Sequence, residues 1–245
     1  TSFIEDTQIL KGKSKFYLDA KGQFGKFDIK KLNLDFGNSR INLKGKLNNL
    51  HTPENLFIDA KFDSSTIIIS DVKKLLPLYS IPEYKYVDLL DLEGSFVGNP
   101  TNFESEIDSK LNKGSISLDA KLNLQPEEMV YDVKLITNNT NFESIIGYPT
   151  NLNSFLSVKG TSTDPAKMDS KMSFNIYNSS FNNYNVDSLF VNANGEYKLL
   201  EFNATGNIEN TLGKFDGIVD FADENKPVYS FSSEIKNLDL ATYLR

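Results

Sequence analysis

Apolar side chains return at every second residue along almost the whole chain, and this period constrains the fold more than any other feature. Phe16, Leu18 and Ala20 share one parity, as do Leu32, Leu34 and Phe36, then Ile41, Leu43 and Leu47, then Ile58, Ala60 and Phe62. The pattern continues through Ile116–Leu124, Met129–Leu135, Met168–Ile176, Leu189–Ala193, Leu200–Ile208 and Phe215–Phe221 to Tyr229, Phe231 and Ile235. Asp, Lys, Asn and Ser sit between them, so each strand has one dry face and one wet face, as in antiparallel sheets. Turn signals separate the runs at Gly37-Asn38, Gly98-Asn99-Pro100, Asp164-Pro165, Asn194-Gly195 and Asn225-Lys226-Pro227, with Asn194-Gly195 the strongest hairpin signal.

Roughly thirteen strands result, too many for one small closed barrel and awkward for one sandwich. The reading is a long, curved antiparallel sheet. An outer-membrane barrel is disfavoured because Trp is absent and several alternating runs span only four or five residues. Helix is expected only in three short pieces: Ser70–Leu76, Asn141–Ile146 with Asn141 as cap, and Asn237–Leu244.

A module recurs within the pattern: two alternating strands, then a polar residue and a Leu/Ile pair. Its copies run Ser39–Pro77, Gly114–Pro149 and Gly213–Leu244. Their starts are 114 − 39 = 75 and 213 − 114 = 99 residues apart, which excludes a short regular solenoid. The chain reads as one elongated segment over 1–245, with β modules at approximately 1–80, 81–150 and 151–245.

The net charge of −7 argues against a nucleic-acid partner, which would demand a basic surface. No cysteine is present, so a disulfide framework and a Cys-based zinc site are excluded. No stretch approaches the roughly 20 apolar residues of a membrane-spanning helix, and no signal peptide is evident. We read the chain as a piece of a longer protein whose anchor lies outside it.

Chemistry-bearing constellations are scarce. His51 stands alone in a polar loop, and no nucleophile elbow, phosphate loop, zinc-protease or EF-hand pattern occurs. Asp220, Asp223 and Glu224 crowd a turn, which is far more often solvated than calcium-binding. Asn138-Asn139-Thr140, Asn178-Ser179-Ser180 and Asn203-Ala204-Thr205 match glycosylation acceptors, as chance allows in an Asn-rich chain. No catalytic residue, metal site or cofactor is expected. The residues left to explain are the inward Phe, Tyr and aliphatic side chains, which either pack a closed core or line an open trough. A trough suits acyl chains: at ~4.8 Å per strand, a ~20 Å acyl chain crosses about four strands. A two-tailed lipid with ~30 methylenes loses about 24 kcal/mol on entering water at ~0.8 kcal/mol each. The expected lining residues are Ile107, Ile116, Leu118, Leu122, Tyr131, Val133, Phe174, Ile176, Phe215, Val219, Phe231 and Ile235.

From Ile81 to Arg245 the chain resembles the TamB family of large periplasmic proteins, in its Bacteroidota-type form, related to AsmA and to the repeating-groove, bridge-like lipid transfer proteins. The resemblance is carried by Gly94, Phe96, Gly98 and Phe103 in a G-x-F-x-G-x-x-x-x-F pattern, and by GSISLDAKLNL with YDVKL. It is carried further by NFESIIG, LNSFLSVKGTSTDP and the closing VYSFSSEIKNLDLATYL. It implies an all-β fold, an elongated sheet curved into an open β-taco or gutter with an apolar interior. It implies a periplasmic segment of a bacterial protein anchored in the inner membrane, handling phospholipid or assisting outer-membrane protein assembly, with no catalytic residues. The implied partners are phospholipid or other acyl chains, adjacent groove segments of the parent chain, and outer-membrane assembly proteins. The family's C-terminal domain is not evident here, so its coupling to an outer-membrane partner is not carried over. The competing reading is a non-catalytic β-scaffold or assembly chaperone with a closed core.

Overall fold

Fourteen strands follow one another in a single antiparallel meander. They are β1 (Ser14–Gln23), β2 (Lys26–Phe36), β3 (Ser39–Asn48), β4 (Phe57–Ile67), β5 (Leu89–Asn99), β6 (Asn102–Lys110), β7 (Ser115–Asn123), β8 (Val130–Thr140), β9 (Thr150–Thr161), β10 (Asp169–Phe181), β11 (Tyr184–Glu196), β12 (Leu199–Ile208), β13 (Thr211–Asp220) and β14 (Val228–Lys236). The computed structural model describes residues 13–52, 55–75, 88–111, 113–125, 129–223 and 226–239. Each strand pairs with its neighbours in sequence, so spatial order is chain order from β1 to β14. The sheet is open and curved into a gutter: no strand lies beyond β1 or β14 among the described residues. Its solvent-accessible surface is 16129 Å2, against roughly 11,000 Å2 for a compact monomer of this mass. The open edges exclude a closed barrel. The strand-length argument against a barrel fails, however, because the strands run 9 to 13 residues. Serine- and asparagine-rich ends continue the ladders past the point where the apolar alternation stops.

Two short helices, α1 (Ile69–Leu75) and α2 (Glu143–Ile146), follow β4 and β8 and share one rim of the gutter. They complete the first two recurring modules. In each, the chain leaving the second strand is tied to the turn that precedes the first. The Asn38 N–H donates to the buried Asp71 of α1 at 2.6 Å, and Ser39 Oγ donates to the same oxygen at 3.2 Å. Before α2, the Asn141 N–H donates to the Lys113 carbonyl at 3.4 Å. Asn141 Oδ1 also accepts the Glu143 N–H at 2.8 Å, although the backbone cap is Phe142. After β14, Thr211 Oγ1 donates to the Asn237 carbonyl at 3.4 Å. Asn237, Leu238 and Asp239 are not helical, and residues 240–244 of the expected third helix lie outside the described residues.

A row of β-bulges runs beside this rim. Ser64, Asp91, Asn139 and Asn178 take φ of 42°, 49°, 48° and 43°, and the ladders slip one residue at each. In three of the four, the next residue is a buried Ser or Thr whose hydroxyl replaces the lost ladder bond. Ser65 Oγ accepts the Asn42 N–H at 2.9 Å, Thr140 Oγ1 donates to the Ser115 carbonyl at 3.0 Å, and Ser179 Oγ accepts the Asn153 N–H at 2.8 Å. Bulges increase local twist and bend a strand. Two glycosylation-like triplets in the sequence are therefore bulge sites.

The Asn194-Gly195 signal does not make a turn. Both residues lie inside β11, and the hairpin turns on Tyr197-Lys198, both with positive φ (41° and 68°). Gly195 answers a packing demand instead: a Cβ there would lie 2.6 Å from Met168 Cε and Ser170 Oγ. The neighbouring loop fixes the turn, since the Tyr197 N–H donates to the Met168 carbonyl and the Lys198 N–H to the Pro165 carbonyl.

Candidate functional site

Paired residues on antiparallel strands point to the same face, so the register converts strand alternation into rows across the sheet. One row crosses all fourteen strands: Leu18, Leu32, Leu43, Phe62, Gly94, Ile107, Leu118, Leu135, Leu156, Phe174, Val191, Ala204, Phe215 and Ser233. Only the last carries a polar group. The adjacent row passes from Ala20 and Ile29 through Phe96, Val133, Val158, Met172 and Phe202 to Phe231, broken only by Ser105, whose hydroxyl donates to the Ser95 carbonyl at 3.0 Å. At ~4.8 Å per strand these rows extend about 60 Å. The row on the other side holds Ile116, Ile176, Leu189 and Ile235, with Ser109, Thr137 and Ser154 among them and the Thr137 and Ser154 hydroxyls bonded to each other at 2.9 Å.

All twelve expected lining residues fall on this one face. Ile107, Leu118, Phe174 and Phe215 stand in the central row, Val133 and Phe231 in the second, and Ile116, Ile176 and Ile235 in the third. Leu122, Tyr131 and Val219 form a fourth, beside the opposite rim. The list omitted the N-terminal continuation through Leu18, Leu32, Leu43 and Phe62, and omitted Phe96 and Phe202. Their parity was legible, but only the register shows that they continue the same rows.

Among the described residues no second sheet lies against this face: all fourteen strands belong to one open sheet, and most side chains on the face keep some exposure to solvent. Most of the lining side chains are half-buried, shielded only by one another. Exposure rises at the edges, to 63% at Phe16 and 59% at Phe231. Aromatic rings cluster at two places. Phe96 stacks on Phe103 at 4.9 Å. Phe202, Phe215 and Phe231 form a triangle with centroids 5.6 to 6.1 Å apart, with Tyr229 6.2 Å from Phe231. Within that region the apolar face contains a notch of about 320 Å3 between β11 and β14.

The outer face is a charged lattice. Directly opposed residues form ion pairs: Glu104–Lys121 (2.5 Å), Asp119–Lys134 (3.9 Å) and Asp132–Lys159 (3.1 Å). Hydrogen bonds to the partner carboxylates, then their charges, raise the pKa of Lys110, Lys121 and Lys214 above the ordinary lysine value. No charged head lies in the central apolar rows, so the two faces differ sharply in what they can touch.

His51 is an exposed loop residue stacked on Phe24 at 5.7 Å. Asp220 Oδ1 accepts the Ala222 N–H at 2.7 Å, and Glu224 lies outside the described residues. No group of three or more potential metal ligands occurs among the described residues, and no described helix is long and apolar enough to cross a membrane. In comparisons with known proteins, no family model matches the chain, and neither a curated protein nor a solved structure matches it significantly.

Proposed function

We propose that this chain is a non-catalytic, periplasmic segment of a TamB/AsmA-like protein. Its apolar groove binds phospholipid acyl chains and conducts them between the inner and outer membranes, in support of outer-membrane biogenesis. The observation that carries this reading is the open row that crosses all fourteen strands and is free of polar side chains from β1 to β13. An uncovered strip ~60 Å long offers an acyl chain a surface at every step of a path, not a single closed pocket. The charged outer face suits water and the apolar lining suits hydrocarbon, and the parent protein would be anchored in the inner membrane outside this segment. The edges of β1 and β14, unpaired among the described residues, suit adjacent groove segments, which would also cover backbone groups that otherwise invite aggregation. A closed-core scaffold would bury this face fully, whereas most of its side chains are only half-buried in one open sheet, which favours the groove reading.

Native mass spectrometry of the purified chain tests the reading. Diacyl phospholipid should leave with the protein and be removed by detergent exchange. Identical native and delipidated masses, with no lipid in the organic extract, would overturn it.

A further inference from the structure

Gly206 and Gly213 stand directly opposite each other on β12 and β13. Together they interrupt the third apolar row between Leu189 on β11 and Ile235 on β14, and they floor the notch. Its walls are Leu189, Ile208, Phe215, Ile235 and Leu238. Neither glycine has the positive φ that would make glycine necessary for the backbone.

Packing does not explain Gly213 either. A Cβ built there meets nothing within 4 Å, whereas every other described strand glycine has an atom inside that distance. Gly217, on the same strand, shows the contrast: its Cβ would lie 2.3 Å from the Phe202 ring. A glycine inside a strand weakens it, and it marks a place where something else approaches the backbone. Among the described residues nothing fills the space at Gly213.

We propose that the Gly206–Gly213 notch seats part of one acyl chain. This rests on the groove reading above and gives the groove a holding point near its C-terminal edge. Apolar side chains and bare backbone dominate the notch, to which Thr205, Thr211 and Ser233 also contribute, and the Lys214 ammonium is held on the other face by Asp216 at 2.9 Å. A volume of about 320 Å3 holds roughly ten water-sized groups at ~30 Å3 each, a stretch of hydrocarbon and not a whole lipid.

The test uses the full chain and palmitate carrying a photoreactive diazirine, with labelled peptides mapped by mass spectrometry. Gly213→Leu fills the notch and displaces about two methylenes, so labelling of β11–β14 peptides should fall about tenfold. Labelling of β6–β8 should persist, and the urea midpoint should hold or rise. Unchanged β11–β14 labelling with β6–β8 also labelled would overturn the notch and leave the groove reading standing. No labelling anywhere in the wild-type chain would overturn both. Should Gly213→Leu unfold the sheet, Gly213→Ala decides: a lowered urea midpoint would make the glycine structural and end the proposal.

Discussion

Leu118→Asp separates a hydrated gutter from a sealed core. Leu118 sits mid-row between Ile107 and Leu135 and is half-buried. Full burial of a leucine contributes about 1.5–3 kcal/mol, and about two thirds or more of Leu118 is covered, so its burial accounts for roughly 1–2.5 kcal/mol. The poor strand propensity of aspartate adds up to ~1 kcal/mol. In an open gutter the carboxylate reaches water and the total cost stays at about 2–3.5 kcal/mol, which a domain stable by ~5–15 kcal/mol survives. In a closed core the same carboxylate would be desolvated without a partner, adding ~3–5 kcal/mol. Urea unfolding followed by circular dichroism gives the difference, and crosslinking to a photoreactive lipid gives the function. The expected result is a modest shift in midpoint, an unchanged slope and a large loss of crosslinking. A loss of ~5 kcal/mol or more, or an unfolded product, would refute the reasoning, because Leu118 would then be ordinary core. Phe174→Asp, in the same row on β10, should behave alike.

Two glycines on β13 should respond with opposite signs. Gly213→Ala should stabilise by about 0.4–1 kcal/mol through the unfolded chain, while Gly217→Ala should cost ~1–3 kcal/mol by displacing the Phe202 ring; urea midpoints for the pair check both. Asp71→Ala should cost ~1–3 kcal/mol by leaving the Asn38 N–H without its acceptor, read as faster hydrogen exchange at Asn38 than in the parent. The stabilisation from Lys110, Lys121 and Lys214, whose pKa values their carboxylate partners raise, is complete below the unfolded lysine pKa of ~10.4 and is lost as pH rises through their folded values. All three ammonium groups are exposed, so the urea midpoint should change little up to about pH 10, and a steep fall before that would contradict the assignment.

Strand alternation made the all-β class and the dry parity of each strand legible, because one face of a strand is wet and the other is not. That is why Ile107, Leu118, Phe174 and the other expected lining residues fall on a single face. Register was not legible, since parity is a property of one strand and a row needs thirteen correct pairings. Parity alone therefore marks Leu18, Leu32 and Leu43 as apolar without joining them to Leu118. The Asn194-Gly195 error arose because the residue pair carries a strong turn preference, yet here the glycine makes room for Met168 and the loop carbonyls of Pro165 and Met168 fix the turn two residues later. The bulges were hidden for a similar reason: Asn139-Thr140 and Asn178-Ser179 look like polar strand ends until the slipped ladder reveals their hydroxyl contacts. The notch required knowing that Gly206 faces Gly213.

Strict neighbour-to-neighbour pairing has a consequence for how such a molecule changes size. Excising the β9–β10 hairpin would bring β8 against β11 still antiparallel, with greasy and charged sides unmixed, and would shorten the conduit by ~10 Å. Length is thus adjustable in hairpin increments, and duplication or loss of a strand pair resizes the span without redesigning what remains.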